Sequence, residues 1–187
     1  ELELFPKFDS NKHKGQNGKV AVIGGGAYAG APSLAGMGAY RAGVDLVHIF
    51  VPENNFDQVS SFAPELIVHK LDGDVIDRKV VKLLKSFDFD SIVIGPGMGK
   101  SPKSFEAVSE IISNFDNLVI DADAISKYNF NKKNILLTPH KGELNRLGVE
   151  ADKESLMQFS IDSGVTLLFK GKIDYITDGL YFKRNVT

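Results

Sequence analysis

Val20 to Ile23 is an apolar, mostly β-branched run that passes straight into Gly24-Gly25-Gly26 and then, from Pro32, into small residues at helical spacing. Three glycines permit positive φ and leave no side chain between the main chain and whatever lies over the loop, so a ligand can touch backbone there. Pro32 sits where a first helical turn tolerates a missing N–H, and Ala35, Gly36, Gly38 and Ala39 suit a helix packed tightly on a sheet. The free N–H groups of that turn favour an anionic or strongly polar ligand over the loop. The stretch Lys14 to Ala42 is therefore predicted to be strand, glycine loop and helix.

The rest of the chain repeats that alternation. Asp45 to Val51 reads as a second strand closed by Pro52, which makes a right-handed parallel crossover with the first. Phe56 to Ser61 reads as a short helix and Glu65 to Leu71 as a third strand, with His69 a residue of the strand face. Between Asp77 and Phe87, Val80, Val81, Leu83 and Leu84 fall on one helical stripe. Further strands are expected at Ser91 to Ile94, Leu118 to Ile120, Ile135 to Leu137 and Val165 to Phe169. Helices are expected from Pro102 to about Ser113, up to Leu147, and from Lys153 to Ser163. Ile173 to Ile176 and Leu180 to Lys183 flank Thr177-Asp178-Gly179, a hairpin signal. Residues 1–14 read as an extended arm. The pattern predicts an α/β fold, a doubly wound, mostly parallel sheet flanked by helices and finished by a C-terminal β-hairpin. In such sheets ligands bind beyond the carboxyl ends of the strands, and the ends after Ile23, Ile94, Ile120 and Leu137 carry glycine-rich or polar sequence.

Composition narrows the function classes. The 187 residues suffice for one sizeable core, and a net charge of −2 argues against a nucleic-acid partner. With no cysteine there are no disulfides, thiolate zinc sites or cysteine nucleophile, which fits a reducing compartment. Apolar runs are strand-sized and no signal pattern opens the chain, so a cytoplasmic protein without a membrane partner is expected.

Two familiar motifs nearly fit and fail. From Gly24 through Gly26 to Gly30 the last gap is one residue too long for the dinucleotide fingerprint, although Asp45 lies near the place of its ribose-binding acid. Gly99-Lys100-Ser101 resembles the end of a Walker loop, but Ile94 stands where the first glycine should and Pro96 removes a donor N–H. Neither Ser33 nor Ser101 has nucleophile-elbow context, and the histidines lack metal-ligand spacing, so no metal ligand is assigned.

Four other segments carry chemistry. Gly95-Pro96-Gly97-Met98-Gly99 lies between a buried strand and a helix start, where backbone N–H groups can converge on a phosphate or an amide, or merely form a tight turn. Thr138-Pro139-His140-Lys141-Gly142-Glu143 gathers a hydroxyl, an imidazole, an amine and a carboxylate at one strand end. His140 there can hydrogen-bond a substrate or shuttle a proton, or be a helix-start residue with Glu143 as a first-turn acid. Asp121 and Asp123 suit a hydrated magnesium or a positioned hydroxyl, and equally suit helix capping. Lys170, on a glycine step after a strand, can neutralise a nucleotide phosphate as a point charge on a flexible stem.

As an ordered set these motifs resemble the ATP- or ADP-dependent NAD(P)H-hydrate dehydratases, which have the ribokinase-like fold. The resemblance rests on His13-Lys14-Gly15, Gly24-Gly25-Gly26, Tyr28, Gly30-Ala31-Pro32, Arg41-Ala42-Gly43, Gly95-Pro96-Gly97-Met98-Gly99, Asp121-Ala122-Asp123-Ala124, Thr138 to Glu143 and Lys170-Gly171. It implies a metabolite-repair lyase that phosphorylates the ring hydroxyl of hydrated NADH or NADPH from ATP or ADP, with Mg2+, and then eliminates phosphate. By the same resemblance, Ala31, Gly97 and His140 contact the hydrated dinucleotide, and Lys170, Gly171, Lys172, Ile173 and Asp174 line the adenosine nucleotide. Gly25, Gly26, Tyr28, Gly30, Gly95, Gly99, Asp121, Asp123, Thr138 and Glu143 support them, and homo-oligomers are expected. Two departures stand out. Asp174 replaces a threonine of many relatives, and the G-G-T-G-D motif that follows the hairpin in the family, with its catalytic aspartate, does not occur. No catalytic residue is therefore assigned. Residues 1–187 are expected to form a single ribokinase-like domain lacking its C-terminal part, binding ligand weakly and turning over little. The competing readings are a ribokinase-like kinase of a small alcohol such as a vitamin precursor, and a catalytically inactive nucleotide-binding module.

Overall fold

The computed structural model describes His13 and residues 15–130 and 134–186, so the arm expected at 1–14 lies outside the described residues apart from His13. Strands β1 (Lys19–Ile23), β2 (Leu46–Pro52), β3 (Ile67–Leu71), β4 (Ser91–Ile94), β5 (Leu118–Ile120), β6 (Ile135–Leu137), β7 (Thr166–Phe169), β8 (Ile173–Thr177) and β9 (Phe182–Val186) form one sheet. Its order is β3-β2-β1-β4-β5-β6-β7-β8-β9, parallel through β7 and antiparallel in the last two pairings. Helices α1 (Gly30–Arg41), α2 (Glu53–Ser60), α3 (Lys79–Leu84), α4 (Pro102–Asn114), α5 (Lys141–Leu147) and α6 (Lys153–Ser163) connect the strands. The strand order reverses between β1 and β4, so the loops after these two strands flank the crevice where parallel sheets bind ligands.

Hydrophobic alternation explains how the layers assemble. On β1 and β2, Val20, Val22, Val47, Ile49 and Val51 pack under α1 and α2, while Ala21, Ile23 and Phe50 join the core under α3 and α4 on the other face. Gly36 is the small residue of α1 that the sheet requires, since a Cβ there would come within 3.0 Å of both Ile49 and Leu66. Gly38, expected to serve the same packing, faces open space. Further along, Ile92, Ile94, Leu118, Ile120, Ile135, Leu137 and Leu167 are buried beneath α3 to α6. Val93, Val119, Leu136 and Leu168, which alternate with them, are only half-buried on the opposite face.

Two local features refine the expectations. The second hairpin strand begins at Phe182, two residues later than the apolar pattern places it, because Asp178 Oδ1 accepts from Leu180 N–H (3.0 Å) and Tyr181 N–H (2.8 Å). That side-chain turn holds Leu180 and Tyr181 in the loop and keeps the Asp178 carboxyl below the usual carboxylate range. His69 is a strand-face residue as expected. Its Nε2 lies 2.9 Å from His48 Nδ1, with ring planes 11° apart and centroids at 5.1 Å, so the two imidazoles meet nearly end to end. Phe50, Phe87 and Phe89 surround the pair.

Candidate functional site

The ends of the strands continue their hydrogen bonding one step beyond the sheet. Gly24 N–H donates to Phe50 O, Gly95 N–H to Ile23 O, Asp121 N–H to Ile94 O and Thr138 N–H to Ile120 O, all between 3.0 and 3.2 Å. Lys170 N–H closes the row on Pro139 O at 2.8 Å. The four loops that the sequence marks as polar or glycine-rich are thereby held side by side on one rim.

The two glycine loops interlock at the switch point. Gly25 N–H donates to Pro96 O (3.0 Å), and Ala27 N–H (3.1 Å) and Tyr28 N–H (3.0 Å) both donate to Gly97 O. Gly97, at φ +68°, is buried beneath this bridge, where a Cβ would fall 2.2 Å from Tyr28 O and 3.2 Å from the Ala31 methyl. Gly95, at φ +121°, leaves even less room, with Asp121 O only 1.9 Å from any Cβ. These glycines admit another segment of backbone, Tyr28 over Gly97 and Asp121 over Gly95. Gly97 and Ala31, both implied substrate contacts, do lie against each other, with Gly30 and Tyr28 exposed at the loop edge.

A side-chain cluster occupies the next three strand ends. Asp121 Oδ1 accepts from Thr138 Oγ1 (2.7 Å) and from Lys170 Nζ (2.7 Å), so one carboxylate fixes both the hydroxyl and the ammonium. The Lys170 side chain retains 41% of its exposure, which leaves ammonium N–H donors open to solvent. Gly171 and Lys172 are exposed beside it, Ile173 and Asp174 half-buried, and Asp174 Oδ1 accepts from Gly171 N–H at 3.0 Å. Asp123 turns the other way. Its Oδ2 accepts from Gly99 N–H (3.0 Å), tying the second glycine loop to the short 3-10 helix Ala122–Ala124.

His140 is the N-cap of α5. Its Nδ1 accepts from Gly142 N–H (2.9 Å) and Glu143 N–H (3.2 Å), and Glu143 Oε2 accepts from His140 N–H (2.8 Å), a reciprocal capping box. In the neutral ring this places the proton on Nε2, which lies 3.3 Å from Glu143 Oε1. The helix-start reading of Pro139-His140 with Glu143 is thus realised, the ring stays exposed, and the His140 main chain pairs with that of Lys170 in an isolated parallel bridge.

Asp45 sits at the opposite end of the sheet, where its carboxylate accepts from Gly15 N–H (2.8 Å) and Asn17 N–H (2.9 Å). The bonds from Asn17 foremost hold its carboxyl below the usual range, and its place removes the dinucleotide-fingerprint reading structurally. Sequence reasoning missed Asn55. This buried residue of the first turn of α2 accepts from Gly26 N–H through Oδ1, and the only hint was a polar pair following a strand-ending proline. Two grooves, of about 320 and 530 Å³, flank Phe159 and Leu147 beyond the far end of α5 and include none of the rim residues. Among the described residues no three His, Cys, Asp or Glu side chains converge as a metal cage.

Residues 20–180 match the family profile described as NAD(P)H-hydrate dehydratase. The chain is 38% identical over 175 residues to the bifunctional NAD(P)H-hydrate repair enzyme Nnr of Archaeoglobus fulgidus, covering 92% of this chain and 37% of that protein. It is 35% identical to the ATP-dependent (S)-NAD(P)H-hydrate dehydratase of Entamoeba histolytica, covering 95% of this chain and 64% of the relative. The chain thus spans less than two thirds of the length of these curated relatives. Its fold superposes on the ADP/ATP-dependent NAD(P)H-hydrate dehydratase of Bacillus subtilis, co-crystallised with ATP/Mg2+, with a TM-score of 0.83 at 26% identity over 97% of this chain and 68% of that one. A ribokinase-like superfamily protein of Enterococcus faecalis, at a TM-score of 0.84 and 21% identity, shares the fold. With the ordered motifs on one rim of a ribokinase-like sheet and a profile match across most of its length, the chain belongs to the NAD(P)H-hydrate dehydratase family.

Proposed function

We propose that this chain carries the ligand platform of a nucleotide-dependent NAD(P)H-hydrate dehydratase, a metabolite-repair lyase. The observation that carries the reading is the juxtaposition of Ala31 and Gly97 at the switch point with a row of polar ends that leads to Lys170. Hydrated NADH or NADPH would lie across the interlocked loops, with Ala31, Gly97 and the exposed edge of His140 as its contacts. ATP or ADP would lie along Lys170 to Asp174.

The chemistry is transfer followed by elimination. The ring hydroxyl gives up its proton as its oxygen forms a bond to the terminal phosphorus of the nucleotide, while the bridging P–O bond breaks and ADP or AMP departs with its electrons. Inorganic phosphate then leaves with the C–O bond electrons as the adjacent ring carbon loses a proton, restoring the reduced nicotinamide. Lys170, fixed by Asp121, is placed to offset phosphate charge during transfer. Asp121 and Asp123 are occupied with Lys170, Thr138 and Gly99, so they support the site and are not assigned the role of base.

The deciding test is conversion of hydrated NADPH by the full-length gene product with ATP or ADP, followed through the return of nicotinamide absorbance. Nucleotide-dependent turnover supports the assignment. Tight nucleotide binding without turnover would instead favour an inactive binding module, and phosphorylation of thiazole or pyrimidine alcohols a small-alcohol kinase.

A further inference from the structure

The first glycine loop is gripped from outside the crevice by α2. Asn55 Oδ1 accepts from Gly26 N–H, and Asn54 Nδ2 approaches Gly26 O at 3.4 Å, so neighbouring asparagines hold both backbone polar groups of one residue. The orientation of the Asn55 amide follows from this partner, because a backbone N–H can bond only its oxygen. Asn55 is 7% exposed, and a buried amide is retained only where its hydrogen bonding offsets desolvation. Gly25 packs on the same side chain, since a Cβ there would meet Asn55 Oδ1 at 3.0 Å.

Immediately after Gly26, Ala27 and Tyr28 donate to Gly97 O, and Gly97 lies against Ala31. We propose that Asn55 is a positioning residue for the hydrated dinucleotide: through Gly26 it fixes the height of the first loop over the second and thereby the spacing of Ala31 and Gly97. The role in substrate binding rests on the function proposed above; the grip on the loop does not. Asn55 touches no reacting atom in this arrangement. Its influence passes through three consecutive loop residues and two hydrogen bonds to one carbonyl. Asp123 is its counterpart across the crevice, holding Gly99 of the second loop.

Two variants and a control separate this role from general stability. Asn55→Ala removes the acceptor, Asn55→Asp keeps an oxygen for Gly26 N–H, and Ser104→Ala removes another buried bond, to Ile76 O at 3.0 Å, that involves no residue of either glycine loop. In the full-length protein, Asn55→Ala is expected to raise the KM for hydrated NADPH about tenfold with a smaller effect on kcat, because a buried N–H is left unpaired at a loop that binds substrate. Amide exchange across residues 24–28 should quicken by a comparable factor. Asn55→Asp should restore both readouts, and Ser104→Ala should lower the melting temperature while leaving KM unchanged. Unchanged exchange in Asn55→Ala, failure of Asn55→Asp to protect the loop, or an equal rise in KM from Ser104→Ala would overturn the proposal. If Asn55→Ala does not fold, the Asn55→Asp and Ser104→Ala outcomes decide it. A wild-type protein that neither binds nor converts hydrated NADPH would remove the proposed function, and with it the substrate role, while loop exchange would still decide the grip.

Discussion

Between Gly24 and Gly99 the site is main chain against main chain, whereas between Asp121 and Lys170 it is side chain against side chain. The first region owes its shape to the absence of Cβ atoms and to N–H donors that are already paired with the facing loop. The second owes its shape to one carboxylate that gathers a hydroxyl and an ammonium. A backbone platform has few soft degrees of freedom and fails when any atom is added. A side-chain cluster tolerates substitution sterically and changes in charge and reach. Stability and ligand binding should therefore separate between the two regions.

The largest effect is expected at Gly95, where alanine would place a methyl 1.9 Å from Asp121 O in a left-handed conformation. Gly95→Ala should lose roughly 3–5 kcal/mol of stability in urea unfolding, the range of substitutions that force buried backbone apart. A loss below about 1 kcal/mol would mean that the platform can yield, and the contrast with the side-chain cluster would collapse. Lys170→Met should do the reverse. Its ion pair is partly exposed and contributes roughly 0–1 kcal/mol to folding, but ATP or ADP affinity should fall about tenfold or more in calorimetry.

His140 sharpens the comparison because it caps α5 and is also an implied substrate contact. His140→Ala removes the α5 cap and should cost about 1 kcal/mol, while His140→Asn, a good cap without a ring, should recover the stability. If asparagine also restores the KM for hydrated NADPH, the ring is a cap and the implied substrate contact at this residue is wrong.

The smallest effect lies outside both regions, at His48 and His69. Burial chiefly, with the neighbouring imidazole for His48, lowers both rings below the ordinary histidine value of 6.5. The unfolded chain therefore binds protons more readily than the folded one in the window below 6.5. The pair's contribution is fully present above 6.5 and is lost as pH falls through the lowered folded values. Thermal unfolding should show stability declining on acidification below 6.5, and His69→Phe should flatten that decline. Identical acid profiles for wild type and variant would show that the pair does not report pH.

The frame of the molecule could be read from its sequence because each buried strand is an apolar run that stops at glycine, proline or a polar residue, and the helices show a different period. The register of the last strand could not. An aspartate whose side chain bonds two following N–H groups lengthens a turn without altering the hydrophobic pattern. The rim residues were likewise legible as a set of strand ends, but their division of labour was not. Whether a glycine clears space for a ligand or for the facing backbone depends on contacts between Gly24–Gly26 and Pro96–Gly99, which local spacing does not encode. Asn55 was invisible for the same reason, since its partner at Gly26 is distant in sequence and close only once β1 and β2 have paired.

That interlocking also bears on how the protein folds. β1, α1 and β2 can assemble from neighbouring sequence, but Gly97 O can receive Ala27 and Tyr28 only after β4 has crossed to the far side of β1. Contacts of such long sequence separation are slow to form, so the ligand platform should mature after the sheet that bears it. In a pulse-labelled refolding experiment, protection of the Ala27 and Tyr28 amides should therefore lag behind protection of Val22. The interlocked loops would form after the strands that carry them, and would be lost early when β4 loosens.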